Sequence, residues 1–264
     1  MSTSLAPNLP EPPPVHLSPA AKVMQGTAIV SMGALLVIHA VRLVGVQHGS
    51  TTAGLALTVG ALVAGYLFAD FMSGCVHFFF DRFLEETTPV IGPAFVKPFR
   101  IHHTDPIDIT RHGFLPTNGS NSLVTVVPLL GLFAIDITRA VGFFFVAVVV
   151  VASLATFGTN QFHKWAHEPV PHPVVAWLQR RHWILPVDHH AIHHTWPHEA
   201  HYCITTGWMN AFLLRVGFWK AATRVFSVVL AEHRDAQPAP SLVPPEAPPD
   251  SSATVVSPVR AQVA

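Results

Sequence analysis

The first third of the chain is dominated by two apolar stretches, residues 23–41 and 43–69, in which no residue carries a formal charge. A helix rises about 1.5 Å per residue, so about 20 residues cross a hydrocarbon core of roughly 30 Å. The pattern predicts membrane helices near 23–45 and 52–72, joined by the polar turn Gln47-His48-Gly49-Ser50. A second apolar block runs over 123–135 and 140–158, broken by Asp136 and Arg139. Its second part is long enough to span. Its first part is short and contains Pro128, unless it starts as early as Leu115. Four spans are predicted, the third being the shortest.

Residues 1–21 hold six of the 24 prolines and 236–264 hold seven more, with no apolar period in either. Both are expected to be disordered tails flanking a membrane domain at 22–235, because they cannot bury enough surface to offset the entropy of ordering.

Composition strengthens the membrane reading. Only 11% of residues are charged and half are hydrophobic, whereas soluble domains carry about 25% charged residues. Lys+Arg and Asp+Glu balance at 15 each, so charge offers no case for a nucleic-acid partner. Two cysteines, Cys75 and Cys203, are too few for a disulfide framework or a thiolate zinc site. With four spans, 13 of the 15 basic residues fall on the side that holds both tails, 73–121 and 159–264; Arg42 and Arg139 are the exceptions. The positive-inside rule then puts that side in the cytosol. All six tryptophans lie between Trp165 and Trp219, and segments 174–183 and 207–220 mix aromatic and aliphatic residues with Arg and Lys, as interfacial helices and amphipathic core helices both do.

The unusual number is 18 histidines, 14 of them between His77 and His201. His16, His39, His48 and His233 fall outside every motif. Asp70, Gly74, His77 and Asp81 follow i, i+4, i+7, i+11, one stripe of a helix. Two carboxylates and an imidazole on that stripe would be costly against lipid, which points to metal ligation or support of it, while Gly74 leaves room for another element. His102 and His103 diverge by about 100° on a helix, so they suit two neighbouring metal centres better than one. His163 and His167 share a face at i, i+4. In Asp188-His189-His190-Ala-Ile-His193-His194, the i, i+3, i+4 spacing predicts that His190, His193 and His194 converge, and His189 pairs with His193. At least eight candidate ligands with few carboxylates and no thiolates exceed the needs of one zinc and fit two redox metals, most readily iron.

These motifs resemble a particular family. The run Gly92-Pro-Ala-Phe-Val-Lys-Pro-Phe-Arg-Ile-His102-His103-Thr-Asp-Pro-Ile-Asp-Ile-Thr-Arg-His112 is similar to the Kua/CarF lipid desaturases. So are Asn160-Gln161-Phe-His163-Lys-Trp-Ala-His167, Ile184-Leu-Pro-Val-Asp-His189-His190-Ala-Ile-His193-His194 and the stretch from Pro197 to Asn210. The resemblance covers roughly residues 60–225 and implies an all-α integral membrane protein of about four spans, with a cytosolic His-rich cap holding a dimetal site. It implies a plasmanylethanolamine desaturase: two irons, O₂ and two electrons turn the sn-1 O-alkyl chain of an ether phospholipid into a vinyl ether. The electron donor would be cytochrome b5-like or ferredoxin-like, with its reductase. The implied ligands are His77, His102, His103, His112, His163, His167, His190, His193 and His194. Asp70, Asp81, Asp105, His189, His198, His201 and Asn210 are expected as supporting residues or further ligands. Gly113 and Pro116 stand where the family carries acidic residues. A fatty-acyl desaturase or hydroxylase on the same scaffold is the alternative. A metal transporter would place its ligands near the bilayer midplane, and a zinc protease would need an HExxH that the chain lacks. The membrane would be the cytoplasmic membrane in a bacterium or the endoplasmic reticulum in a eukaryote, with termini and site in the cytosol.

Overall fold

A computed structural model describes residues 17–46, 50–89 and 91–232. Most of both expected tails, the residues 47–49 of the expected turn, and His16, His48 and His233 lie outside them. The described residues form nine α-helices and no strand: α1 Pro19–Val44, α2 Thr51–Arg82, α3 Lys97–Thr104, α4 Phe114–Gly131, α5 Ala140–Ala166, α6 Pro173–Arg180, α7 Val187–His193, α8 Trp208–Arg215 and α9 Phe218–Phe226. α1 starts three residues before the expected domain boundary at 22. Ser18 Oγ accepts the Ala21 N–H at 3.2 Å, and Pro19 stands at the first helical position, where its missing N–H costs nothing.

Three of these helices, α1, α2 and α5, are long and apolar enough to cross a membrane. α2 continues ten residues past its expected end at 72. Its 32 residues measure about 48 Å at 1.5 Å each, well beyond a hydrocarbon core, and its last turns carry His77 and Asp81. α5 likewise runs past 158 and carries His163 in its last turn. α4 is less apolar because Thr117, Asn118, Ser122 and Thr125 form its buried face. That face is fastened to α5, where Asn160 Nδ2 donates to the Thr117 carbonyl at 3.0 Å and Asn121 Nδ2 donates to the Thr156 carbonyl at 2.9 Å.

Small residues set the spacing of the bundle. Ala61 and Ala69 of α2 pack on Phe143, Ala147, Ala152 and Ala155 of α5, and a Cβ at Gly65 would meet the Val148 carbonyl at 2.7 Å. Backbones approach this closely only where side chains are small. α2 and α5 run parallel, so their C-terminal ends lie side by side. α1 runs parallel to α4, with Gln25 against Gly119 at one end and His39 against Leu129 at the other. Met32, Leu35, Leu129, Leu132 and Val146 fill the core between α1, α4 and α5.

His39, outside every sequence motif, is fully buried. Its Nε2–H donates to the Leu129 carbonyl at 2.9 Å, and its Nδ1 accepts from Arg42, which also donates to the Leu132 carbonyl. The pair adds side-chain donors to carbonyls at the end of α4, where Leu129 and Leu132 also accept backbone N–H groups.

Candidate metal centre

Five elements meet at the C-terminal ends of α2 and α5. α2 contributes His77 and Asp81, and α3 contributes His102 and His103. α5 brings His163 and, at its C-cap, His167. α7 brings His190 and His193, with His194 at its C-cap. Residues 200–207 close over them from the side.

Among the described residues, two groups could each hold a metal ion. His102, His163, His167, His190 and His194 form one, and His77, Asp81, His103 and His193 form the other; ligand atoms within each group lie within 4.8 Å of one another. In the first, Nε2 atoms follow one another from His163 to His190 at 2.8 Å, from His190 to His194 at 3.0 Å, and from His194 to His102 at 3.0 Å. In the second, Asp81 Oδ2 lies 3.3 Å from His77 Nε2 and 3.6 Å from both His103 and His193 Nε2, and the last two nitrogens are 3.1 Å apart.

These residues fit cations better than they fit each other. An imidazole Nε2 carries either one hydrogen or one lone pair, so at most two of the three links from His163 to His102 can be hydrogen bonds. His167 Nε2 and His77 Nε2 are buried with no hydrogen-bond partner. Donors about 2.1 Å from a common cation stand about 3.0 Å apart along an octahedral edge, which is the spacing found. Burial, reinforced in all but His167 by neighbouring imidazoles, holds the ring pKa values down: His167 to about 4, His194 to about 3, and His102, His190 and His193 well below the ordinary value. The imidazoles are therefore neutral at pH 7, the form that binds metal.

Backbone carbonyls orient the second group. The His77 Nδ1–H donates to the Tyr202 carbonyl at 3.2 Å, and the His193 Nδ1–H to that of Ala200 at 2.9 Å, so both Nε2 lone pairs face inward. Asp70 fixes the segment that supplies these carbonyls. Its Oδ1 accepts the N–H groups of Thr206 and Gly207 at 2.7 and 2.9 Å, and its Oδ2 accepts that of Met209 at 2.9 Å. Asn210 closes the same loop, accepting from the Cys203 N–H and donating to its carbonyl. The room expected at Gly74 is taken by this segment, since a Cβ there would lie 2.5 Å from Cys203 Sγ.

The sequence expectations divide accordingly. His190 and His194 converge, but His193 turns into the other group, since adjacent His193 and His194 diverge by about 100° on the helix. His112 stands outside both groups; its Nε2 lies 3.1 Å from Asp108 and its carbonyl accepts from Lys164. Asp105 pairs with Arg111. The His198 ring stacks 4.6 Å from that of His103. His189 and His201 form an outer pair with ring centroids 5.3 Å apart, away from both groups. Gly113 and Pro116 occupy the N-cap and first turn of α4. The Tyr202 and Ala200 carbonyls had no sequence signal of their own, because backbone partners carry no residue code.

A lipid desaturase domain model matches residues 66–235, a range containing every member of both groups. The plasmanylethanolamine desaturase of Myxococcus xanthus is 43% identical over 211 residues, covering 80% of this chain and 73% of that protein. Plasmanylethanolamine desaturase 1 of Mus musculus is 46% identical over 170 residues, 62% of this chain and 63% of its own length, a little under two thirds. The chloroplastic fatty acid desaturase 4 of Arabidopsis thaliana is 34% identical over 166 residues, half of its length. No solved structure gives a significant match.

Proposed function

The chain belongs to the lipid desaturase family, and from that premise we propose that it introduces the vinyl-ether double bond into the sn-1 O-alkyl chain of plasmanylethanolamine. The observation that carries this reading is the pair of adjacent imidazole-rich groups at the ends of two apolar helices. Two irons would be held, one by His102, His163, His167, His190 and His194, the other by His77, Asp81, His103 and His193. Bound there, the irons would supply the chemistry that activates O₂. O₂ takes two electrons and two protons from outside and two hydrogens from the chain, leaving two waters and one C=C bond. A cytochrome b5-like or ferredoxin-like protein with its reductase delivers the electrons.

The residues of this chain hold and orient. The His77 and His193 Nδ1–H groups stay on the Tyr202 and Ala200 carbonyls, Asp81 brings negative charge beside one metal, and the buried apolar surroundings exclude bulk water. We place four crossings in the membrane. α4, antiparallel to α5, covers about 27 Å with its 18 residues at 1.5 Å each, and its Thr117, Asn121, Ser122 and Thr125 side chains are hydrogen-bonded inside the bundle. The basic-residue asymmetry favours the cytosolic face for the site and both termini.

A site near span ends suits a bond at C1–C2 of an alkyl chain, beside the glycerol; a mid-chain acyl bond would need a deep bent tunnel. The reading is tested by expressing the protein in cells that contain alkyl ether phospholipids but no vinyl ethers. Acid-labile lipids that release fatty aldehydes are expected. New acyl double bonds without them would move the assignment to an acyl desaturase.

A further inference from the structure

Beside the second metal group lies a cavity of about 270 Å³, walled by Arg82, Glu199, Tyr202, Arg215, Trp219 and Lys220 among others. We propose that this cavity seats the phosphoethanolamine headgroup of the lipid substrate, an inference that rests on the function proposed above. Its chemistry is that of a zwitterion site. Arg215 and Lys220 are exposed cations on its wall. Two further N–H groups are buried without partners, the Trp219 indole N–H and the Arg82 Nε–H, on residues that are 5% and 7% exposed, while the rest of the Arg82 guanidinium is held by Glu199 and Glu232. Buried donors are costly unless something accepts from them. α9 begins here at Gly217, whose φ of +68° turns the chain between α8 and α9, and no side chain caps its first turn. A helix start, two orphan N–H groups and two cations together fit a phosphodiester. Glu199, half-exposed at the rim and already bonded to Arg82 at 2.8 Å, fits the ammonium.

The placement agrees with the reaction. The Tyr202 ring lines the cavity on one side and packs 5.2 Å from the His193 ring on the other, so one aromatic layer separates cavity from metal group. Six bonds link the phosphorus to the first carbon of the sn-1 chain, about 7 Å at roughly 1.2 Å of reach per bond. A headgroup in this cavity keeps that carbon within one aromatic layer of the second metal group.

The test measures binding of a short-chain dialkyl-ether phosphoethanolamine, and of its N-acetylated derivative, to the full-length protein in detergent by calorimetry. Wild type should bind the free amine about tenfold more tightly than the acetylated form, as one charge-assisted contact is worth. Glu199→Gln should bring the two affinities together, whereas a merely loosened fold would weaken both and leave their ratio unchanged. The double variant R215A/K220A should weaken both ligands by about tenfold or more, and Arg215→Lys with Lys220 kept should restore most of the loss. Unchanged affinity in the double variant, or an unchanged ratio in Glu199→Gln, overturns the headgroup seat. Because binding needs no turnover, these results are separable from the proposed function. Vinyl ethers made by a wild type whose variants bind normally would remove only the cavity assignment. Headgroup binding as expected, without any vinyl-ether product, would remove only the reaction.

Discussion

His193 and His194 are neighbours in the chain and fall in different candidate metal groups: His193 Nε2 lies 3.1 Å from that of His103, and His194 Nε2 lies 3.0 Å from that of His102. Two adjacent pairs, one on α3 and one at the end of α7, are thus shared out in the same way. The pairing ties the two groups into one unit, since a shift of either helix disturbs both.

Removing either member of the α7 pair should therefore empty one group and disable both. His193→Ala and His194→Ala should each lower iron from about two per chain toward one and reduce activity at least about 100-fold, the upper range for losing even a supporting residue. Metal analysis of purified protein alongside product formation checks this. Two irons retained in both variants would contradict the assignment.

His112→Ala should keep about two metals per chain, because its Nε2 faces Asp108. A loss of one iron in this variant would show that His112 swings into the centre on loading.

Asp70→Asn keeps the shape but cannot accept all three N–H groups with both atoms, since its amide nitrogen only donates. A destabilisation of about 1–3 kcal/mol is expected from the orphaned N–H, with activity lowered about 10–100-fold through the displaced carbonyls that orient His77 and His193. Thermal unfolding and metal content report the two effects separately.

His39→Ala should cost about 1–3 kcal/mol for the two hydrogen bonds lost, to the Leu129 carbonyl and to Arg42, while leaving metal content and activity per folded molecule unchanged. A lowered melting temperature with intact metal binding is the expected pattern.

Acidification should weaken the metal-free protein. His167 and His194 are held down to about 4 and about 3 by burial, while in the unfolded chain they titrate near 6.5. The unfolded state therefore takes up protons first as pH drops. The stability these rings contribute is complete above about 6.5 and is lost as pH falls toward 4 and then 3. Melting temperatures of metal-stripped protein should be level from pH 8 to 7 and decline below 6.5, and bound metal should shift the decline to lower pH because it competes with protons. A melting temperature independent of pH from 8 to 4 would oppose the neutral-imidazole description.

The sequence alone determined the long apolar helices and most of the residues that could hold a metal. Uncharged runs of the right length gave α1, α2 and α5, and helical periodicity was enough to foresee that His102 and His103 part company. Angular relations within one helix follow from its 3.6-residue period and need no partner. Assignment of each imidazole to its metal group was decided only in three dimensions, because the site draws on α2, α3, α5, α7 and the 200–207 segment, whose meeting depends on long-range packing. That packing turned His193 away from His190, left His112 beside Asp108 and made His39 a partner for the end of α4. It also decided what Asp70 does. Three backbone N–H groups, 136 to 139 residues away, converge on this one buried carboxylate, and no local pattern can encode a partner that is backbone and distant.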